Sequence, residues 1–350
     1  MNFGRRSTAP VRCKYCSACL TVTPGERAIQ CTQCYGVRRI RRCARLPLPA
    51  LPRPAAPMGT GFLPRGRGKK RAVLIGITYA SMRRGCGELR GPINDVKCTR
   101  HLLCHRFGFP SDCILMLTGN KWWSSMHEFL LMGTPIHPWG ASYGDSLVFH
   151  FSGLGAQVAD DDGDEVDGYD EAICPLDSFQ KGPILDYEIN EAIVRPLVHG
   201  AKLHAVVDAC HSATVLDLSF LCRISRCGNW QWEDHRPRSG VCKGTSGGQA
   251  VLIAGYSDGR SKISATPEAY ASVGAMTHSF IKAVECEPRG VTYGRLLTSM
   301  KAIMTNGGGR CSLQGPVGAP VSKVANFSGV QEPNLSSSEM FDINCKPFVL

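Results

Sequence analysis

The sequence lacks any long apolar run. No segment approaches the roughly 18 consecutive apolar residues that a membrane-spanning helix requires. Residues 1–12 also lack the apolar core of a secretory signal peptide. We therefore expect an intracellular protein that does not cross a membrane, in the cytoplasm with the nucleus as a second location. Its 18 cysteines are then expected to be reduced thiols, because disulfides persist mainly in oxidising compartments.

Acidic residues are scarce in the amino-terminal part of the chain. Residues 1–70 contain 15 lysines and arginines against a single acid, Glu26, whereas the rest of the chain contains 25 basic and 28 acidic residues. The formal net charge of +11 therefore belongs to this basic arm. Such an arm suits nucleic acid, an anionic membrane or an acidic protein surface, or is simply solvated. We expect a protein partner, and neither nucleic acid nor a membrane.

Two cysteine pairs within the arm have the spacing C-x2-C-x14-C-x2-C. The pairs consist of Cys13, Cys16, Cys31 and Cys34. Four thiolates at this spacing can hold a tetrahedral structural zinc ion (Zn²⁺), and the metal would fold a segment too short to have a core. Chance pairing among many cysteines is the alternative, and Cys19 adds ambiguity because it also forms a C-x2-C pair with Cys16. Residues 1–43 are predicted to be a zinc-finger-like segment that contacts a protein partner, and the proline-rich residues 44–68 a linker.

From Lys69 onward, short apolar runs alternate with segments of helical spacing. Strands are predicted at 71–77, 113–117, 146–152, 203–207, 249–256 and 324–327. Helices are predicted at 93–107, 122–131, 186–197, 274–285 and 292–304. This alternation implies βαβ units, hence an α/β fold with a mainly parallel sheet flanked by helices. Residues 222–249 break the pattern, being rich in Gly, Arg, Ser and Cys, and are predicted to be a long exposed loop.

A polar cluster, DACHS at 208–212, follows the predicted strand at 203–207. In open parallel sheets the chemistry lies at the carboxyl ends of the strands, which makes Cys210 a candidate nucleophile. Asp208, two residues earlier, is expected on the same side of the sheet. An ordinary buried thiol is the alternative. A nucleophilic cysteine needs a base or a cation, and this partner is expected where the strand at 146–152 ends.

The motifs, taken in order, resemble a plant-type type I metacaspase, a caspase-like cysteine peptidase with an amino-terminal zinc finger and a proline-rich prodomain. The stretches that carry the resemblance are KKRAVLIGITY (69–79), GPINDV (91–96), FHFSGLGAQ (149–157), DGDEVDGYDEAICPLD (162–177), DACHSATVLDL (208–218) and the closing QEPNLSSSEMFD. The resemblance implies a caspase-hemoglobinase fold and cysteine endopeptidase activity on protein or peptide substrates with Arg or Lys at P1. It also implies a role in regulated proteolysis and programmed cell death.

The same resemblance divides the main domain into three regions. A large-subunit region is expected at 69–221, an inter-subunit processing loop at 222–249 and a small-subunit region at 250–350. Within the loop, the basic residues that offer cleavage sites are Arg223, Arg226, Arg236, Arg238 and Lys243.

Site roles follow from the resemblance residue by residue. Cys210 matches the nucleophile, and the backbone N–H groups of Gly155 and Cys210 would form the oxyanion hole. Asp95, Ser152 and Asp208 match the residues that line an acidic pocket for the P1 side chain. This match agrees with physical chemistry, because a buried guanidinium or ammonium needs carboxylate partners. For Asp95, a helix-start carboxylate that interacts with the helix dipole is the alternative.

A calcium site is a further implication of the resemblance. Its carboxylates match Asp170, Asp186 and Asp217, and hard oxygen ligands suit Ca²⁺. One more acidic position of the family is occupied here by Tyr187, which removes a ligand. A solvated acidic loop at 160–170 is the alternative.

The chain departs from the family at the catalytic histidine, because the family's Ser-Gly-His-Gly reads SGLG at 152–155. Leu154 cannot accept a proton or pair with a thiolate, so the pKa of the Cys210 thiol is expected near the reference of about 8.5. His150 is expected to lie back from the strand end and His211 to point elsewhere, so neither is expected to replace the base. Ala213 is a milder departure, at a position where the family usually has glycine.

Three functions therefore remain open. The first is a cysteine endopeptidase that is weak or inactive because of Leu154. The second is a pseudo-peptidase that binds basic peptides or partner proteases through the retained acidic pocket. The third is a zinc-finger interaction module for which the caspase-like domain is a passenger.

Overall fold

The computed structural model describes residues 11–12, 19–20, 28–30, 37–39, 69–79, 89, 91–118, 141–160, 168–224, 229–236, 243–256, 274–305 and 332–350. The chain divides into two units, Met1–Pro64 and Arg65–Leu350. In the first unit, β1 (Val11–Arg12) pairs antiparallel with β2 (Cys19–Leu20), and β3 (Ala28–Gln30) with β4 (Val37–Arg39). The four predicted zinc ligands lie outside the described residues, so the zinc finger and its partner stay predictions.

The second unit contains the remaining elements. Its strands are β5 (Lys70–Gly76), β6 (Ile114–Thr118), β7 (Ser146–Ser152), β8 (Gly155–Ala159), β9 (Tyr169–Ile173), β10 (Ile184–Leu185), β11 (Lys202–Asp208), β12 (Phe220–Ile224), β13 (Trp230–Asp234), β14 (Gln249–Tyr256) and β15 (Glu332–Ser337). Its α-helices are α1 (Pro92–Phe107), α2 (Ser178–Lys181), α3 (Asp186–Ile189), α4 (Ala275–Cys286) and α5 (Tyr293–Thr305). A 3-10 turn (Ser111–Cys113) precedes β6, and α3 continues into a π-helical turn (Asn190–Val194). None of the described helices is long and apolar enough to cross a bilayer.

Eight strands form the central sheet in the order β13-β12-β15-β14-β11-β7-β5-β6. The neighbours from β6 to β14 are parallel, as predicted. β15, β12 and β13 extend the sheet in antiparallel fashion beyond β14. A separate antiparallel sheet has the order β10-β9-β8. The α/β architecture with a mainly parallel sheet is therefore confirmed.

Apolar side chains cover both faces of the central sheet. On one face, Leu74 and Val206 pack in a core with residues of α1, α4 and α5. On the other face, Phe149 and Leu203 pack with residues of α3 and the π-helical turn. Continuous apolar runs suit strands that are buried on both sides, which explains why β5, β7 and β11 were recognisable from the sequence.

The register of the parallel strands brings their carboxyl ends together. Ser152, the last residue of β7, pairs with Asp208 at the end of β11 and with Gly76 at the end of β5. Residues that follow these strands therefore meet at one edge of the sheet, where ligands of parallel α/β folds bind.

The prediction of an exposed irregular loop over 222–249 is wrong for its secondary structure. β12 and β13 form an antiparallel hairpin there, and Cys222 is fully buried. The polar composition was misleading because these strands lie towards one edge of the sheet. β15 was likewise missed, since its sequence EPNLSS contains proline and polar residues. The helix predicted at 122–131 and the strand at 324–327 lie outside the described residues, and the predicted domain boundaries stay predictions.

Leu335 tests the placement of β15 in the core. Its side chain is fully buried between β12 and β14, so Leu335→Ala should lower the free energy of unfolding by about 2–5 kcal/mol. Met340, which follows the strand and is 58% exposed, provides the control, and Met340→Ala should change stability by less than about 0.5 kcal/mol. Urea unfolding measures both variants. Equal effects would contradict a central position for β15.

Candidate functional site

Three predicted pocket residues meet at the carboxyl edge of the sheet. The Ser152 hydroxyl donates to Oδ2 of Asp95 at 2.8 Å, and Ser152 lies beside Asp208 in the strand register. Asp95 belongs to the first turn of α1, which starts with a proline suited to a helix N-terminus. The structure therefore joins side chains from a helix and two strands into one acidic cluster, and the role of this cluster as a P1 pocket stays a prediction.

The start of α4 holds the Asp208 carboxylate. The backbone N–H of Thr277 donates to Oδ2 of Asp208 at 2.7 Å. The backbone N–H groups of Gly274 and Met276 and the Thr277 hydroxyl also donate to this carboxylate. A helix N-terminus offers unpaired N–H groups and a partial positive charge, which suits a buried anion. No sequence signal linked α4 to the site.

Burial and mutual repulsion shift the titration of the two carboxyls. Desolvation raises the pKa of Asp208, against which the α4 donors act. Desolvation and the charge of Asp208 raise the pKa of Asp95 to about 7, while the Ser152 hydroxyl opposes this shift. Because Asp208 has more donors, it ionises first and Asp95 keeps a proton to near neutral pH. Within the described part of the chain, neither carboxyl has a lysine or arginine partner.

Cys210 lies in the turn after β11 and is partly exposed. His211 adopts a left-handed backbone (φ 51°), and the Ser212 hydroxyl donates to the Ala209 carbonyl at 2.9 Å, so the turn is tight. Desolvation and the nearby charge of Asp208 raise the pKa of the Cys210 thiol. This environment favours the protonated thiol and not the nucleophilic thiolate.

Gly155, the first residue of β8, packs directly against the Cys210 turn. A Cβ atom added at Gly155 would overlap the Cys210 carbonyl oxygen, so no other residue fits without displacement. This proximity agrees with the oxyanion role that the resemblance implies for the Gly155 backbone. The connection from β7 to β8 therefore passes beside Cys210, and Leu154 lies in that connection.

Tyr79 fixes the backbone at Leu154. Its hydroxyl accepts the Leu154 N–H at 2.9 Å and donates to the Cys174 carbonyl at 2.6 Å. The Leu154 carbonyl in turn accepts the Cys174 N–H at 2.9 Å. Tyr79 is buried and has a left-handed backbone (φ 57°), which is costly for a tyrosine and needs such support. The backbone at Leu154 is therefore held in a defined conformation, although the leucine side chain cannot accept a proton.

The two histidines near the site differ in their surroundings. His150 is fully buried, its Nε2 lies 3.1 Å from the Thr277 hydroxyl, and burial lowers its pKa to about 3. It thus contacts the residue that holds Asp208, and it lies two residues before the end of β7. Partial burial lowers the pKa of His211, which favours its neutral form. Ala213 is buried, and its carbonyl accepts the Ser336 hydroxyl at 2.6 Å.

The residues matched to a calcium site are not arranged as a cation cage. The Asp186 carboxylate accepts the backbone N–H groups of Tyr187 at 2.7 Å and Glu171 at 3.1 Å. Asp217 forms an ion pair with Lys243, and Asp170 is buried on β9. Among the described residues, no three carboxylate, histidine or cysteine side chains are grouped to hold a metal ion. As arranged among the described residues, these three carboxylates do not form the set of six or more oxygen ligands that Ca²⁺ needs, and residues 161–167 of the acidic loop lie outside the described residues.

Comparison with known proteins relates this chain to one family by sequence. Residues 70–219 match a family described as "Metacaspase, peptidase C14 domain". Metacaspase-1 of Arabidopsis thaliana is 44% identical, with 97% of this chain and 96% of that protein covered. Metacaspase-3 of the same plant is 39% identical over 98% and 99%. The crystal structure of caspase-1 from Spodoptera frugiperda covers 81% of this chain and 90% of its own, with 9% identity and a TM-score of 0.36.

The raised pKa of Asp95 predicts a pH-dependent stability. Between the unfolded value of 3.8 and the folded value of about 7, unfolding releases a proton, so the wild type loses stability as pH rises through this window. Asp95→Asn cannot titrate. The melting temperature of Asp95→Asn minus that of the wild type should therefore rise by about 5 °C from pH 5 to pH 7.5. At higher pH this difference should stay constant. A difference that stays constant with pH would contradict the shift.

Proposed function

Because this chain belongs to the metacaspase family of caspase-like C14 cysteine peptidases, we propose that it recognises Arg or Lys side chains but lacks efficient peptide-bond hydrolysis. The observation that carries the proposal is the acidic cluster of Asp95, Ser152 and Asp208, which is complete beside a Cys210 whose base position holds Leu154. The resulting protein is a pseudo-peptidase that binds basic peptides or partner proteases and regulates proteolysis, including that of programmed cell death.

The acidic cluster supports the binding of one cationic side chain. Asp208 is held by α4 and carries the first negative charge, while desolvation and the charge of Asp208 raise the pKa of Asp95 to about 7, so Asp95 keeps a proton to near neutral pH. An arginine guanidinium could donate to both carboxylates at once, and a lysine ammonium could serve as a point charge. A bound cation would lower the pKa of Asp95, so it would replace the proton. A neutral or acidic P1 side chain could not replace the proton of Asp95 in this way.

The chemistry of Cys210 supports the loss of hydrolysis. Thiolate is the nucleophile, and desolvation together with the charge of Asp208 raises the pKa of this thiol. A histidine at position 154 would accept the thiol proton and leave an imidazolium beside the sulfur, whereas leucine does neither. Removing one member of a catalytic unit typically costs about 10⁴- to 10⁶-fold in rate. Backbone N–H groups at Gly155 and Cys210 would leave only residual catalysis.

Residues 222–249 are the region in which the family resemblance implies proteolytic processing. Three of its basic residues are held by carboxylates: Arg223 by Glu233, Arg236 by Asp234 and Lys243 by Asp217. Lys243 is also buried, which makes it a poor cleavage site. If the region is processed, we expect the cut at Arg226 or Arg238, which lie outside the described residues.

Replacing Leu154 by histidine tests the missing base. Leu154→His should raise kcat/KM on a fluorogenic peptide with Arg at P1 by about 10⁴-fold over the wild type. Leu154→Asn, similar in size but unable to act as a base, is the matched control and should stay at the wild-type rate. Adding Cys210→Ala to the histidine variant should abolish the gain. Equal rates for wild type and Leu154→His, with measurable turnover, would refute the role of position 154; no turnover in either would move the defect to a site such as Ala213.

Binding of a small guanidinium tests recognition without catalysis. Calorimetry should show agmatine binding to the wild type more tightly at pH 8 than at pH 5.5, with proton release below pH 7 because the cation displaces the proton of Asp95. Asp95→Asn should weaken binding about tenfold or more at pH 8 and remove the proton release. Leu154→Asn should bind like the wild type. Equal affinity for an uncharged amide analogue of agmatine would contradict an acidic pocket.

A further inference from the structure

A buried ion pair lies outside the acidic cluster. Nζ of Lys243 is 2.6 Å from Oδ1 of Asp217, and the two side chains are only 2% and 9% exposed. Lys243 precedes β14, and Asp217 belongs to the turns that connect Cys210 to β12. The contact therefore ties the segment that follows the nucleophile to the segment that leads into the next central strand.

The Asp217 backbone is fixed as firmly as its side chain. Its φ of 49° is left-handed, a conformation that is uncommon for residues other than glycine. Its N–H donates to the Thr214 carbonyl at 2.6 Å, and its own carbonyl accepts the side-chain amide of buried Asn190 at 2.9 Å. The carboxylate is thus presented from a rigid turn into a site that water scarcely reaches.

A carboxylate in such a site needs either several hydrogen-bond donors or a nearby cation. Burial of an unpaired charge is strongly unfavourable, and the counter-charge can be a metal ion or a basic side chain. A calcium ion requires six or more oxygen ligands, whereas a lysine needs only the reach of its own chain and hydrogen-bond acceptors for its ammonium. Here Asp186 is committed to the backbone N–H groups of Tyr187 and Glu171, and Tyr187 itself supplies no carboxylate.

We propose that Lys243 is a built-in cation that neutralises Asp217 in place of the divalent ion implied by the family resemblance, so that the fold around the Cys210 turn is independent of calcium. The juxtaposition that carries this proposal is the buried 2.6 Å contact between the two side chains. The lysine belongs to the chain, so its effective concentration is constant and the pair does not respond to the calcium level. The proposal does not depend on the pocket or on peptidase activity.

Calcium titration of the wild type is the direct test and needs no variant. A site with a Kd near 50 µM would raise the melting temperature by several degrees at about 5 mM calcium chloride. We expect a change below about 1 °C relative to magnesium chloride at the same concentration. A calcium-specific rise of several degrees that disappears in Asp217→Asn would overturn the proposal. A rise that persists in Asp217→Asn would show that calcium binds at another site and that Lys243 remains the cation beside Asp217.

Stability variants test the strength of the pair. Lys243→Met leaves Asp217 buried without its counter-charge and should lower the melting temperature by about 5–15 °C. The control is Lys301→Met, which removes a similarly short but more exposed ion pair with Glu332 (2.7 Å). This variant should change the melting temperature by about 2 °C or less. Lys243→Met combined with Asp217→Asn should lose less than the two single losses together, because no charge is left stranded. Strict additivity would contradict a direct pair.

The lysine variant also provides a gain-of-function result. If Lys243 occupies the cation position, Lys243→Met should acquire a calcium-dependent rise in melting temperature that the wild type lacks. The rise should be absent when Asp217→Asn is added. A Lys243→Met protein that melts like the wild type, with or without calcium, would show that the buried pair does not neutralise Asp217.

Discussion

The buried carboxylate of Asp208 is the constraint on which the site depends. It ends a strand that is covered on both faces, and the N–H groups at the start of α4 accommodate its charge. This arrangement positions α4 at the carboxyl edge of the sheet and creates a negative field around the turn that follows. Desolvation, followed by the charge of Asp208, raises the pKa of both Asp95 and the Cys210 thiol. The same two causes therefore act on the acidic cluster and on the neighbouring thiol.

This coupling makes the residue at position 154 unusually important. In a solvated environment a cysteine ionises slightly even without a base, but burial and the charge of Asp208 raise the pKa of Cys210 away from neutrality. An imidazolium beside the sulfur would offset that field, and leucine offers no charge at all. Under the proposed function, a pocket that binds a basic side chain beside Cys210 would therefore make a missing base at position 154 more costly than an apolar pocket would.

The sequence predicted those parts of the structure that local patterns encode. Apolar runs identified β5, β7, β11 and β14, and the rule that chemistry follows parallel strands pointed to Asp208 and Cys210. Asp95 needed the family resemblance, since a carboxylate in the first turn of a helix is common for reasons of capping alone. Non-local features were missed: the α4 donors on Asp208, the Tyr79 hydroxyl under Leu154 and the Lys243 ammonium. Each connects residues far apart in sequence, and no periodicity records such contacts.

Residues 222–249 were misassigned for the same reason, because their structure depends on contacts that local sequence patterns do not encode. β12 and β13 lie at one end of the sheet, where a strand needs few apolar residues, and β15 fills the gap between β12 and β14 although it contains Pro333. Whether such a segment forms a strand depends on neighbouring strands that are distant in sequence. Composition alone therefore favoured a loop where the structure has a hairpin with a buried inner strand.

Two acidic sites in this domain differ in how their carboxylates are stabilised. Asp217 has a cation supplied by the chain itself, at a distance of 2.6 Å. Asp95 and Asp208 have backbone and hydroxyl donors, and within the described residues no basic side chain neutralises them, so a proton stays on Asp95 up to a pKa of about 7. A fold that can bury a lysine to neutralise one carboxylate could have done so for the other two. This contrast supports the proposal that the acidic cluster receives an external cationic side chain.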